Sequence, residues 1–175
     1  MLRKYIWIIL SMSLLLPIRL YANSYDDIDR KFITRQEGVV LHPYNDIAGY
    51  KTYCIGRLAS RSMILKQKYT YEECEQLLEY DLTIFSDNIN ECINRDLNPN
   101  QYTAVVDFAY NLGVHSYCIS TLRKDVNNNN SHKIRNDFLA WDKVDIKGRL
   151  VDNNAIRNRR LREYNLYIKP YNERK

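Results

Sequence analysis

The chain has 175 residues, 45% of them hydrophobic, and its longest low-complexity run is four asparagines. This composition supplies one hydrophobic core and, with no repeat and no linker, one domain is the default. The net charge of +5 is unevenly distributed, because residues 1–22 carry +3, residues 23–146 carry −4 and residues 147–175 carry +6. No RNA- or DNA-binding signature accompanies the basic segment, which argues against a nucleic-acid-binding protein.

The first 22 residues predict a secretory leader. Arg3 and Lys4 precede an apolar stretch from Tyr5 to Ile18, and Ala22 offers a small residue for cleavage. The apolar stretch is shorter than the roughly 20 residues that a membrane-spanning helix needs. We therefore expect residues 1–22 to be a cleaved signal peptide or a signal-anchor that is later released, and residues 23–175 to form a single exported domain.

Four cysteines, at positions 54, 74, 92 and 118, form an even set in a chain with a leader. An even set in an exported protein predicts two disulfides, for which three pairings are possible. A zinc site is disfavoured because the sequence lacks the usual CxxC or HxxxH spacing, so we expect no metal. A Cys–His nucleophile built on Cys54 stays open at this point.

The first predicted element is a short helix after the leader. Ser24 and Asp27 have the spacing of a capping box ahead of it, Glu37 lies in its last turn, and Gly38 ends it. Residues 39–60 then consist of short pieces containing Tyr, Val and Ile between turn residues. This pattern predicts a small antiparallel sheet.

The remainder of the chain has helical periodicity. A second capping box, Thr70 with Glu73, opens a long helix, and another helix starts at Asn98–Pro99 and ends at Gly113. Three further helices are predicted over about 119–126, 131–142 and 154–167. The fold class is therefore α+β, with a small antiparallel β lobe inserted into a mainly helical domain.

Glu37, Asp46 and Thr52 could together carry acid–base chemistry. At the end of a helix, Glu37 would lie near the negative pole of the dipole, and partial burial would further disfavour its ionised form. A carboxyl with a raised pKa suits a general acid, whereas an Asp on a solvated turn and a nearby Thr hydroxyl can hold and deprotonate a water. Two carboxyls in unequal environments are typical of glycosidic bond cleavage. The alternative is that all three are ordinary helix, turn and strand residues.

The spacing of these residues resembles the signature of phage-type lysozymes, glycoside hydrolase family 24, found in endolysins of tailed phages and their secreted bacterial relatives. Eight residues separate Glu37 from Asp46, five separate Asp46 from Thr52, and Gly56 follows four positions later. Further blocks are similar to those of the family and occur in its order: YTYEECEQLL at 69–78, LNPNQYTAVVDFAYNLG at 97–113, STLRKDVN at 120–127, Trp141, and AIRNRRLREYNLY at 155–167. The resemblance thus covers about residues 30 to 170.

The resemblance implies a lysozyme-like fold and a role for each residue of the signature. Glu37 would donate a proton to the leaving glycosidic oxygen, while Asp46 and Thr52 would position the attacking water on the opposite face of the sugar. The implied reaction is inverting hydrolysis of the β-1,4 bond between N-acetylmuramic acid and N-acetylglucosamine in peptidoglycan. Arg159 falls where the family places a partner of the catalytic Glu.

Other positions follow from the resemblance with less specificity. Asn111 and Gly113 lie in the block near the family's cleft, although they can equally serve a helix C-terminus. The cysteines occupy positions that disulfide-bearing members pair sequentially, 54 with 74 and 92 with 118. One departure from the family is Arg57 after Gly56, where a His is usual, so we expect the His-mediated contact between the lobes to be absent, which concerns local stability rather than chemistry.

The expected partners are peptidoglycan glycan strands, with no nucleic acid, no cofactor, and membrane contact only through the leader. We expect a monomer that acts in the periplasm or outside the cell and lyses bacteria. The alternatives are a catalytically silent module that binds the cell wall, and a cationic protein that damages membranes through its basic last helix.

Overall fold

The structure is a computed structural model that describes residues 26, 28–46, 49–60, 62–146 and 148–171. The leader, residues 1–22, lies outside the described residues, as do Ser24 and Asp27 of the first predicted capping box. Within the described ranges, no helix has the length and apolarity needed to cross a membrane. The elements in chain order are α1 Arg30–Glu37, β1 Val40–Asn45, β2 Lys51–Cys54, β3 Arg57–Leu58, α2 Tyr71–Asn90, α3 Pro99–Leu112, α4 Val114–Ile119, α5 Thr121–Asn127, α6 Ser131–Leu139, β4 Lys143–Ile146, β5 Arg149–Asp152 and α7 Asn154–Ile168.

Helix α1 begins later than the sequence predicts. Its N-cap is Asp29, whose side chain accepts a hydrogen bond from the backbone N–H of Phe32 at 3.1 Å. The backbone N–H of Asp29 donates to the hydroxyl of Thr103 at 2.9 Å, which joins the start of α1 to α3. The predicted end is confirmed: Gly38, with φ of 73°, donates its N–H to Thr34 and stops the helix directly after Glu37.

The β lobe, which we define as residues 40–58, is a three-stranded antiparallel sheet in the order β1-β2-β3. Tyr44 pairs with Thr52 across β1 and β2, and an irregularity between Val40 and Tyr44 bends the edge strand. At the position where the family usually has a His, Arg57 makes a contact of its own. The Arg57 guanidinium forms an ion pair with Asp81 of α2 at 3.0 Å, so a charged contact joins the lobe to this helix.

The capping box predicted at Thr70 is confirmed, and the helix start predicted at Asn98 has a capping box as well. The side chains of Thr70 and Glu73 reciprocally cap α2, and those of Asn98 and Gln101 cap α3. Helix α3 is the centre of the helical domain, because it is buried continuously from residue 102 to residue 109 and packs against α2 on one side and α7 on another.

Two predicted helices of the C-terminal half need correction. The helix predicted over 119–126 is α5, which begins at Thr121 because the Ser120 side chain caps it by accepting from the N–H of Arg123, and the short helix α4 directly before it was not predicted. The helix predicted over 131–142 ends at Leu139, and the antiparallel hairpin β4–β5 follows it. This hairpin turns at Gly148, which has φ of 81° and donates its N–H to the carboxylate of Asp145. Helix α7 lies where the sequence predicts it.

Two disulfides connect these elements, and they are the sequential pairs expected from the resemblance. Cys54 at the end of β2 is bonded to Cys74 in the first turns of α2. Cys92, just after α2, is bonded to Cys118 of α4. Because Cys54 is bonded, it is not a free thiol nucleophile. The described residues contain no group of three or more His, Cys, Asp or Glu side chains that could hold a metal.

Candidate active site

Glu37 lies at the end of α1, where the helical domain meets the β lobe. Its side chain is 14% exposed, and its Oε1 accepts a hydrogen bond from Nη2 of Arg159 at 2.6 Å. Gly56, in the turn between β2 and β3, approaches the same carboxyl so closely that an added Cβ would lie 2.6 Å from Oε2. The carboxyl is therefore held between a guanidinium from α7 and a bare stretch of backbone from the lobe.

Burial dominates the acidity of Glu37. Desolvation raises its pKa above the ordinary 4.5, and the nearby charge of Asp107 acts in the same direction. The charge and hydrogen bond of Arg159 lower the pKa, but they do not cancel the cost of burial. The sequence alone could not decide the balance between these opposing effects. A pKa raised by burial is the direction that a general acid needs.

Arg159 is itself held by two further carboxyls. Asp107 of α3 accepts hydrogen bonds from Arg159 at both carboxylate oxygens, Oδ1 at 3.0 Å and Oδ2 at 3.3 Å. Glu163, one turn further along α7, accepts at Oε1 from Nε of Arg159 at 3.3 Å. The side chains of Asp107 and Glu163 are fully buried. The position of the guanidinium at Glu37 is thus fixed from the interior of the helical domain.

The second arginine of the pair, Arg160, points into the same buried region. Its Nη2 forms an ion pair with Glu163 at 2.9 Å and donates to the side-chain oxygen of Asn111 at 2.7 Å. Its guanidinium also lies over the ring of Phe108, 4.8 Å from the centroid. Asn111 therefore binds Arg160 rather than Glu37, while Gly113 ends α3 with φ of 91° and donates its N–H to Ala109.

Asp46 and Thr52 lie in and beside the turn that connects β1 to β2. The Oδ1 atom of Asp46 accepts from the backbone N–H of Tyr50 at 2.8 Å, and the backbone N–H of Asp46 donates to the Tyr50 carbonyl at 2.9 Å. The Thr52 hydroxyl donates to the same carbonyl at 3.2 Å and is almost fully buried. Its oxygen can still accept a hydrogen bond, for example from a water.

Tyr44 of β1 is influenced by both carboxyls. Burial raises its pKa most, and the charges of Glu37 and then Asp46 raise it further. Tyr44 is also the register partner of Thr52, and paired residues in an antiparallel sheet project from the same face. The side chains of Tyr44 and Thr52 therefore share one face of the β lobe.

Sequence reasoning missed Asp107, Arg160 and Glu163. Asp107 is the single charged residue in the apolar run of α3, and a charge in such a run needs a buried partner. In α7, Glu163 follows the two arginines at spacings of three and four, which places it on their face of the helix. These signals were present, but they do not identify which buried charges meet.

Comparisons with known proteins bear on this site. The model of the family described as Phage lysozyme matches residues 34–163, which include Glu37, Asp46, Thr52 and Arg159. The chain belongs to the phage lysozyme family. It is 32% identical to the SAR-endolysin of Escherichia phage Mu over 120 residues, 69% of this chain and 69% of that protein. It is 30% identical to the endolysin of Salmonella phage P22 over 139 residues, 78% of this chain and 92% of that protein.

Solved structures agree with this family. The endolysin from Escherichia coli O157:H7 phage FAHEc1 superposes with a TM-score of 0.72 at 32% identity, covering 78% of this chain and 87% of that one. The lysozyme-like α+β fold expected from the sequence is therefore confirmed. The protein is a lysozyme, a glycoside hydrolase, as the sequence also predicted.

Proposed function

We propose that this lysozyme cleaves the β-1,4 bond between N-acetylmuramic acid and N-acetylglucosamine in peptidoglycan, with Glu37 as proton donor and Asp46 and Thr52 as the residues that position water. The observation that carries the proposal is the contrast between two carboxyls. Glu37 is desolvated and has a raised pKa, while Asp46 lies on a turn of the β lobe. Unequal environments of this kind separate an acid from a base.

The proton donor acts on the leaving group. The glycan strand lies with its scissile oxygen against Glu37, which transfers its proton to that oxygen as the bond to the anomeric carbon breaks. Arg159 then faces a carboxylate rather than a carboxylic acid. Its guanidinium, 2.6 Å from Oε1, stabilises the negative charge that develops on Glu37 during the transfer.

The water attacks from the opposite face. Asp46 accepts a proton from this water as its oxygen bonds to the anomeric carbon, and the Thr52 oxygen accepts the other hydrogen to orient it. A water held between the two carboxyls requires a separation of roughly 6.5–9.5 Å and inverts the anomeric configuration. The reaction needs no cofactor in this scheme, and one monomer supplies every group.

The features of an exported protein support peptidoglycan of the cell wall as the substrate. The two disulfides are consistent with an oxidising compartment, and the leader of residues 1–22 supplies the route. We propose that the protein acts in the periplasm or outside the cell and lyses bacteria by degrading peptidoglycan, with membrane contact only through the leader and no role for nucleic acid.

The alternatives are less well supported. The basic C-terminal segment would have to act at its surface in a membrane-damaging protein, yet Arg159 and Arg160 are buried and Arg157 forms an ion pair with Asp142 at 2.6 Å. A silent wall-binding module would not need a buried carboxyl with a raised pKa beside an arginine.

The test is the configuration of the fresh product from a defined muropeptide, followed by NMR. We expect the α anomer of the new N-acetylmuramic acid reducing end to form first and then mutarotate. Initial formation of the β anomer would contradict the role of Asp46 as a base. Absence of hydrolysis by a folded protein would favour the silent binding module.

A further inference from the structure

Glu163 is a fully buried carboxyl of the network around Arg159. Its Oε1 accepts from Nε of Arg159 at 3.3 Å and from Nη2 of Arg160 at 2.9 Å. Its Oε2 is also buried but receives no hydrogen bond from any of the described residues. A carboxylate oxygen left without a donor in the interior is costly, so the state of this oxygen needs an explanation.

The neighbour of Glu163 on α3 is Asp107, because Glu163 Oε1 and Asp107 Oδ2 accept from the same Nε of Arg159, each at 3.3 Å. Asp107 already accepts from Arg159 at both of its oxygens, so it is the acceptor of the two. Two ionised carboxylates in this arrangement would repel each other in a low-dielectric environment. A proton on Glu163 would replace that repulsion with an O–H donor to Asp107.

We propose that Glu163 carries a proton in the folded protein, donates it to Asp107, and so acts as a positioning residue that holds Arg159 against the proton donor Glu37. The positioning role rests on the function proposed above, but the protonation state does not.

The electrostatic surroundings of Glu163 support this assignment. Burial is the main cause that raises its pKa well above 4.5, and the charge and hydrogen bond of Asp107 raise it further. Arg160 and Arg159, the cations that face it along α7, lower the pKa without reversing the effect of burial.

Glu163 would affect catalysis by its influence on the position of Arg159. Its Nη2 is shared between Glu37 at 2.6 Å and Asp107 at 3.0 Å. The bond from Glu163 occupies part of the hydrogen-bonding capacity of Asp107. Without that bond, Asp107 would attract Arg159 more strongly and draw it away from Glu37. Since Arg159 lowers the pKa of Glu37, its withdrawal would raise that pKa further.

The protonation state is tested by stability in the Glu163→Gln variant. The amide can donate to Asp107 and accept from both arginines, so the variant should fold. A carboxyl whose pKa is raised by folding stabilises the protein fully below its unfolded pKa, and this stability is lost as pH rises through the folded pKa. The folding constant of the wild type, relative to Glu163→Gln, should therefore fall by up to about tenfold per pH unit between pH 5 and 8.

The measurement is urea unfolding of both proteins across this range. Glu37 titrates in both proteins, so its contribution cancels in the comparison. A ratio that stays constant or rises with pH would show that Glu163 is ionised, and a Gln variant that does not fold would equally overturn the proposal. These outcomes do not depend on whether the protein hydrolyses peptidoglycan.

The positioning role is tested by the pH dependence of kcat. Glu163→Gln should keep kcat and its alkaline limb within about threefold of the wild type, because its amide supplies the same bonds. In Glu163→Ala we expect the alkaline limb to move to higher pH and kcat to fall about tenfold or more, with KM little changed. An alkaline limb that does not move in Glu163→Ala would contradict the positioning role, and so would an alkaline limb that moves in Glu163→Gln. If Glu163→Ala does not fold, the alkaline limb of Glu163→Gln alone decides between these outcomes.

Discussion

The two sides of the candidate site are built in opposite ways. On the side of the helical domain, Glu37 is fixed by a buried arginine that two interior carboxyls hold in turn. On the side of the β lobe, Asp46 is held in a tight turn by hydrogen bonds with Tyr50, and no described element buries it fully. One carboxyl is tied to the protein interior and the other to a surface turn.

This difference indicates how one small protein can keep an acid and a base apart. Desolvation raises the pKa of Glu37, whereas Asp46 lies on a partly exposed turn. In the proposed mechanism the proton donor needs a rigid support, because its direction toward the sugar must be kept. Asp46, by contrast, must stay open to the water that it positions.

The largest expected effect comes from removing the acid on the buried side. Glu37→Gln should lower the rate of peptidoglycan hydrolysis by about 10²–10⁴-fold, because the amide cannot donate a proton to the leaving group. The amide oxygen still accepts from Arg159, so the free energy of unfolding should change by about 1 kcal/mol or less. Release of reducing ends from purified walls measures the rate, and thermal unfolding measures the stability.

The matched control for this variant is Glu79→Gln, on the exposed face of α2. It makes the same chemical change in a helix without touching the site, so hydrolysis should stay at the wild-type rate. Retained activity in Glu37→Gln would show that the acid has been misassigned. The buried side would then be a purely structural network.

The disulfides offer the next comparison, because one borders the site and the other does not. They span 20 and 26 residues, so replacing either pair by two serines should lower the free energy of unfolding by about 3 kcal/mol. Cys54 lies between Thr52 and Gly56, whereas Cys92 and Cys118 connect α2 to α4. Only loss of the Cys54–Cys74 bond should therefore reduce activity in the variant that is still folded.

Denaturant unfolding and hydrolysis, measured on both double-serine variants at a temperature where each is folded, separate the two effects. Equal loss of activity in the two variants would mean that the disulfides support the fold generally. The position of Thr52 in the β lobe would then not depend on the Cys54–Cys74 disulfide.

Much of the fold could be predicted because its signals are local. The capping residues of α2 and α3 fix the starts of these helices, and Gly38 and Gly113 fix ends of two helices, all within a few residues of sequence. The hairpin β4–β5 was missed because its strands are exposed and short, and β5 has no buried residue whose alternation could reveal it.

The candidate site could also be predicted only where its signals are local in sequence. Spacing and family resemblance together pointed to Glu37, Asp46, Thr52 and Arg159, and the structure groups them at the junction of the two lobes. The support of Arg159 by Asp107 and Glu163 could not be predicted, because it joins α3 to α7 over 52 residues of sequence. The effect of burial on the pKa of Glu37 likewise depends on packing that no local pattern specifies.

The smallest expected effect arises where the two sides touch, at Gly56. Its φ of 68° favours glycine, so Gly56→Ala should cost about 1–2 kcal/mol in backbone strain. The new Cβ would also lie 2.6 Å from Oε2 of Glu37, which must move.

Gly148→Ala is the matched control, because its φ is 81° and no atom lies within 4 Å of the added Cβ. Both variants should lose similar stability in urea unfolding, but only Gly56→Ala should lose activity, about tenfold, because displacing a catalytic group by under 1 Å disturbs its alignment. Equal activity in the two variants would mean that Glu37 tolerates displacement, and that the buried network does not set its direction toward the sugar.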